Sequence, residues 1–189
     1  MADVSYPDAV KMMRAFVKKR RLPDRSLFVE TVKIDVKQIK STFAELAALL
    51  LGDAKQAKSF MSKVKLTSMD DIEDDWWNLY EKLLSKGRAV ELSLKIELED
   101  FLYHMQKLIR NKSLDTSEGL IIDTAAFDDS QCIGDWCAHF NSTWKNHKLV
   151  GMDIGTDSLV LMVLSNEEFK RAQELAKELL HRIDVAERL

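Results

Sequence analysis

Proline and glycine are scarce in this 189-residue chain, at 2 and 6. Few tight turns can form, which favours helix over an all-β fold. The two cysteines, Cys132 and Cys137, are too few for a disulfide framework and point to a reducing cytoplasm. No apolar run approaches the roughly 20 residues that span a bilayer. The stretch Ala44–Leu51, AELAALLL, falls far short. The opening MADVSYPDAV lacks the basic-then-apolar order of a secretion signal. Also missing are G-x-S-x-G, H-E-x-x-H and the glycine-rich phosphate cradles. Catalytic groups can converge from distant parts of a chain, so these absences alone do not exclude an enzyme.

What is present is an ordinary globular composition, 46% hydrophobic and 31% charged, too apolar for disorder. The net charge of −3 conceals an asymmetry. Residues 1–40 hold ten Lys/Arg against five Asp/Glu, whereas residues 68–135 hold seven against sixteen. The basic cluster Lys18–Arg21 has no aromatic or glycine interleaving, so it reads as a solvated helix end rather than a nucleic-acid site.

Pro7 suits a first helical turn, and Val10, Met13 and Val17 carry an apolar face to about Arg20. Leu22-Pro23 ends that helix. Val29, Val32, Val36, Ile39, Phe43 and Leu46 recur at helical spacing, with a break expected near Ser41, because Thr42-Phe-Ala-Glu45 has the form of a capping box. A short helix follows Gly52-Asp53 to about Met61. Ser68-Met-Asp-Asp71 opens the next helix, whose stripe is Ile72, Trp76, Leu79 and Leu83 and whose cap is Gly87.

Apolar residues alternate from Val90 to Leu98, the early part reading as a half-buried strand, and then shift to helical spacing through Leu98, Phe101, Leu102, Met105 and Leu108. Leu120–Asp123 is a short strand candidate, and 130–145 a helix. Lys148–Leu164, KLVGMDIGTDSLVLMVL, reads as strand, tight turn and strand, the second so apolar that both its faces are buried. Ser165-Asn-Glu-Glu168 caps a last helix that carries Phe169, Ala172, Ala176, Leu179 and Ile183. The expected class is α+β: a mainly helical N-terminal region over 1–64, then a helix-covered sheet over 65–189, either as two domains or as one continuous domain.

Three groups invite a chemical reading. Cys132, Asp135 and His139 share one helical stripe, but seven residues of helix span roughly 10 Å, too far for a nucleophile and its base. An Asp135–His139 surface pair is the simpler expectation. A zinc site needs about four ligands, so no metal and no cofactor are implied. Asp153, Asp157 and Ser158 form the best candidate ligand turn, although Asp and Gly are also simply good turn formers. Finally, Asp70, Asp71, Asp74 and Asp75 with Trp77 make an acidic helix face with an aromatic beside it, a pattern suited to a protein partner.

Trp136, Trp144-Lys145, the LALLLGD-like stretch at 47–53, Val90–Lys95 and above all residues 149–176 resemble an uncharacterised bacterial family with a D-x-G-x-D-S segment. The resemblance covers roughly residues 42–183. It implies a fold and a bacterial origin and no activity.

The leading expectation is a cytoplasmic protein-binding module rather than an enzyme: an immunity protein that blocks a basic toxin's active site through Asp70, Asp71, Asp74, Asp75 and Trp77. The alternative is an enzyme or small-ligand binder using Asp153, Asp157 and Ser158. A third is a nucleic-acid regulator acting through Lys18–Arg21. No membrane association is expected.

Overall fold

The apolar run at 158–164 demands cover on both faces, and the computed structural model shows how it is met. It describes residues 36–66, 69–111, 120 and 122–189. The expected helix from Pro7 and the cluster Lys18–Arg21 lie outside the described residues.

Six helices and four strands follow in order among them: α1 (Val36–Leu51), α2 (Ala54–Met61), α3 (Met69–Ser85), β1 (Val90–Ser93), α4 (Leu98–Asn111), α5 (Ile133–Thr143), β2 (His147–Met152), β3 (Ser158–Ser165), α6 (Asn166–Glu178) and β4 (Ile183–Val185). Single turns of 3-10 helix occupy Thr124–Ala126 and Ala186–Arg188. The class is α+β.

The sheet has order β1-β3-β2-β4 and every pairing is antiparallel. The β2–β3 ladder runs from His147↔Ser165 to Met152↔Val160. Because side chains alternate across a strand, β3 feeds two cores. Val160, Met162 and Leu164 join Phe43, Leu46, Trp76, Leu79 and Leu175, from α1, α3 and α6. Leu159, Leu161 and Val163 join Phe101, Met105, Trp136 and Phe140, from α4 and α5. Each such side chain, fully buried, contributes about 1.5–3 kcal/mol relative to exposure.

Several elements differ from the sequence reading. Helix α1 runs through Ser41 without a break, because Thr42 is buried and donates to Glu178 Oε2 at 3.0 Å. Glu45 does not cap. It takes a two-pronged contact from Arg171 of α6, at 2.6 and 2.8 Å. Both side chains are nearly half exposed, so the pair sets the register of α1 on α6 more than it stabilises. The strand read over the early part of Val90–Leu98 is confined to Val90–Ser93, after which a turn leaves Leu94 57% exposed. Leu120 is buried, but Ile122 and Asp123 are not strand, and Ile121 is outside the described residues.

The last helix ends at Glu178, not at Ile183. Leu180 adopts a left-handed φ of 65°, and the chain turns back so that Ile183 opens the edge strand β4. Helices α1 and α2 share one core with the sheet and α6.

Strand β4 covers only Val150–Met152 of β2. One step further, the Asn141 side chain takes over the ladder. Its Nδ2 donates to Leu149 O and its Oδ1 accepts from Leu149 N, both at 2.8 Å. Its second amide hydrogen goes to Glu187 Oε2 at 2.6 Å. A buried side chain thus stands in for a strand residue.

Asn141→Leu leaves the Leu149 amide and carbonyl buried and unpaired, at about 1–3 kcal/mol for each orphan. The expected loss is about 2–4 kcal/mol in urea unfolding. A loss within about 0.5 kcal/mol, the range of an ordinary surface change, would remove this account of the sheet edge.

Candidate functional site

The turn between β2 and β3 is held from several sides. Asp153 Oδ1 accepts from Gly155 N at 2.9 Å, a local bond that short polar side chains favour. Gly155 has φ +71° with open space where a Cβ would stand, so backbone freedom and not room requires glycine. Ile154 is buried in the α1/α3 core. Thr156 Oγ1 accepts from Ser158 N at 3.3 Å. Asp153, Gly155, Thr156 and Asp157 remain exposed.

Helix α3 meets this turn through Trp76. The indole is fully buried, and its Nε1 donates to Asp153 O at 2.8 Å. The imidazole of His181, from the segment between α6 and β4, stacks on it with ring centroids 4.2 Å apart and planes 8° from parallel. Asp153 N in turn donates to Arg182 O at 3.0 Å. One helix, one turn and one connecting segment are therefore locked together around an indole.

The electrostatics of this junction follow from burial. Desolvation pushes the His181 imidazole down to about 4, against the opposing pull of Asp153. It is neutral near pH 7. Its Nε2 lies 3.8 Å from Glu73 Oε2, too long for a hydrogen bond. Asp74, Asp153 and Asp157 are exposed, and among the described residues no Lys or Arg ion-pairs with them or with Glu73. Glu73, Asp153 and Asp157 thus form an exposed acidic rim beside a buried aromatic stack, whereas Asp74, about 200° round α3 from Trp76, faces away from it.

The expected partner face divides along α3. Asp74 is exposed and Asp71 half-buried. Asp70 lies in the first turn, with its side chain outside the described residues. Asp75 is only 4% exposed and is absent from the outer face. It falls three residues after Ile72 and four before Leu79, on the shoulder of the buried stripe. Trp77 is half-buried and meets Tyr80 edge-on at 5.4 Å. Tyr80 continues to the sheet edge by donating to Glu91 Oε2 at 2.6 Å. Burial and then that carboxylate push its hydroxyl up to about 12.

The expected ligand turn is likewise divided. Asp153 and Asp157 share the exposed turn, whereas Ser158 is half-buried and already paired with Ser93 in the ladder.

Cys132, Asp135 and His139 do not converge. Cys132 is the N-cap of α5, and both its backbone N and its Sγ bond Asp135 Oδ2, at 3.1 and 3.2 Å. His139 packs on Phe127 instead of pairing with Asp135. Burial pushes the Cys137 thiol up to about 12, which makes it inert as a nucleophile. Among the described residues no group of three or more His, Cys, Asp or Glu is placed to hold a metal ion. Among them, too, no helix is long and apolar enough to cross a membrane.

Residues 39–186 match the domain family DUF6630, described as a domain of unknown function. The chain belongs to the DUF6630 family. No curated protein and no solved structure matches it. The matched span of the DUF6630 domain contains α3, the 153–157 turn and His181, so the whole junction lies inside it.

Sequence reasoning missed Glu73 and His181 as neighbours of the turn. The acidic load on α3 was visible, but nothing local announces that the chain reverses at Leu180 and lays His181 on Trp76.

The neutral His181 carries a pH signature. Its folded pKa, about 4, lies below the ordinary 6.5. Between those values the unfolded chain binds more protons, so stability falls as pH drops through that window. The side chain is 12% exposed. Discounted for partial solvation, the loss is about 2 kcal/mol. His181→Phe keeps the stack and should flatten the stability profile between pH 6.5 and 4. An unchanged slope in the variant would show that another group sets it.

Proposed function

We propose that this DUF6630 protein is a protein-binding module that receives a basic partner on the acidic rim around the 153–157 turn. We propose further that it is a bacterial immunity protein acting in the cytoplasm, and that the partner is a toxin whose active site the rim blocks. The observation that carries the reading is the set Glu73, Asp153 and Asp157, with no Lys or Arg paired to it among the described residues. Such a set attracts an oppositely charged surface and speeds its approach.

Rigidity supports the same reading. The rim is backed by the Trp76–Asp153 bond and the His181 stack, so little conformational entropy remains to be lost on docking. Half-buried Trp77, farther along α3, is the aromatic contact in this scheme. Blockade would be steric and electrostatic: carboxylates on an exposed turn occupy a basic cleft and displace an anionic substrate.

The test begins with a tagged pull-down from the source bacterium, followed by kinetics on the partner retained in stoichiometric amount. The variant Glu73→Gln/Asp153→Asn/Asp157→Asn keeps the shape and the local cap at Gly155. Its association rate at low salt should fall by about 10-fold or more, and added salt should erase the difference. Equal rates for variant and native protein, or a partner without a basic surface, would sink the proposal.

A further inference from the structure

The sheet has two edges, and they are finished differently. Strand β4 is three residues long, and its Val185 N donates to the Asp184 carboxylate at 2.9 Å. From Val185 the chain passes directly into the 3-10 turn Ala186–Arg188. Native proteins blunt exposed edges in this way, with short strands and charged groups turned onto the backbone. Strand β1 is the other edge, since it pairs only with β3. Its register there is unbroken, without a bulge or a proline. Among the described residues, no side chain or loop bonds the backbone of Val90, Glu91 or Leu92 outside that ladder. Ser93 O accepts from Ile96 N at 3.1 Å, which closes the turn that follows.

The side chains along the β1 edge suit self-association. Leu94, in the turn straight after the strand, is largely exposed. Val90, at the strand's start, is only half-buried. The charges towards the two ends are opposite. Glu91 accepts from Tyr80 through Oε2, which leaves Oε1 to accept another bond. Lys95 lies within ion-pair distance of no carboxylate among the described residues. A strand with an acid near its start and a base just past its end is complementary to itself once reversed.

We propose that β1 pairs antiparallel with β1 of a second copy of this chain, joining two four-stranded sheets into one across a twofold axis. Opposite residues of an antiparallel pair lie on one face, so the axis passes between a residue and its own copy. Centred on Glu91, it would set two carboxylates face to face, which is destabilising. Centred on Leu92, it sets Glu91 opposite Ser93 of the copy. The turn with Leu94 and Lys95 then runs alongside the copy's Val90 and Glu91. Each exposed leucine meets a half-buried valine and each lysine a glutamate, twice by symmetry. The new ladder adds main-chain hydrogen bonds that the free edge lacks within one chain. This interface does not use the acidic rim and does not depend on the protein-binding proposal.

Sedimentation of the full chain reads the association directly, with reductant present so that exposed Cys132 cannot cross-link copies. A short ladder makes a weak dimer, half-formed between about 10 µM and about 1 mM. Over the same concentrations, hydrogen exchange at the amides of β1 should slow. Leu94→Asp, a change at an exposed position, should weaken the dimer about 10-fold or more. Lys95→Glu should weaken it at low salt, and added salt should reduce the difference. The exchange map of the native protein locates the interface even if a variant fails to fold.

A monomer throughout that range would overturn the proposal. So would a dimer whose β1 amides exchange as fast as in the monomer, or one indifferent to Leu94→Asp, since association would then run through another face. A dimer that ignores Lys95→Glu would have a different register and would overturn the pairing centred on Leu92.

Discussion

The antiparallel ladder between β2 and β3 is the constraint to which the other elements answer. Both strands are almost wholly buried, so each must be covered on both faces. Alternation sends Val160, Met162 and Leu164 one way and Leu159, Leu161 and Val163 the other. Slipping the register by one residue would exchange the two sets. The two cores differ in shape: one is built on the indole of Trp76 and the long helices α1, α3 and α6, the other on an aromatic group around Phe101, Trp136 and Phe140. A slip is therefore penalised twice, once on each side of the sheet.

The same constraint explains the devices at the sheet's ends. Strand β4 is three residues long, and a central strand cannot leave buried amides unpaired beyond it. Asn141 resolves this from the α5 side. At the other end of the ladder, the reversal into β3 exposes carboxylates while Trp76 grips the turn backbone at Asp153 O. A turn fixed by a buried donor presents its exposed side chains in one arrangement. The rim's chemistry depends on this link between core packing and surface charge, since a mobile acidic loop would attract a basic surface without orienting it.

Elements with a strong local signal were legible in the sequence. The strand–turn–strand at Lys148–Leu164 and the capping box at Ser165–Glu168 stand as read, because an apolar run broken by an Asp-Gly turn and reciprocal cap bonds depend on neighbours in the chain. What failed depended on distant ones. Thr42-Phe-Ala-Glu45 has capping-box form, yet α6 claims both ends of it, through Glu178 and Arg171. Ile183 continues the helical spacing from Leu179, yet the chain breaks at Leu180 without a glycine or proline to mark it. Of the candidate site, the exposed Asp153–Asp157 turn was legible, but the stacked His181 was not, since its meaning comes from a contact 105 positions away with Trp76.

The divided fate of the α3 carboxylates shows why charge counting along a sequence cannot stand in for geometry. Asp74 and Asp75 are adjacent, yet at roughly 100° of turn per residue they face different surroundings. Asp74 adds to an outward field that water and salt screen. Asp75 sits behind the surface, where burial pushes its carboxyl up from the ordinary range and the surrounding donors only partly offset the cost. A residue retained at such a cost needs a different explanation from one that merely decorates a helix. Hence the acidic run divides by depth: Asp74 faces outward, and Asp75 is held inside the packing of α3.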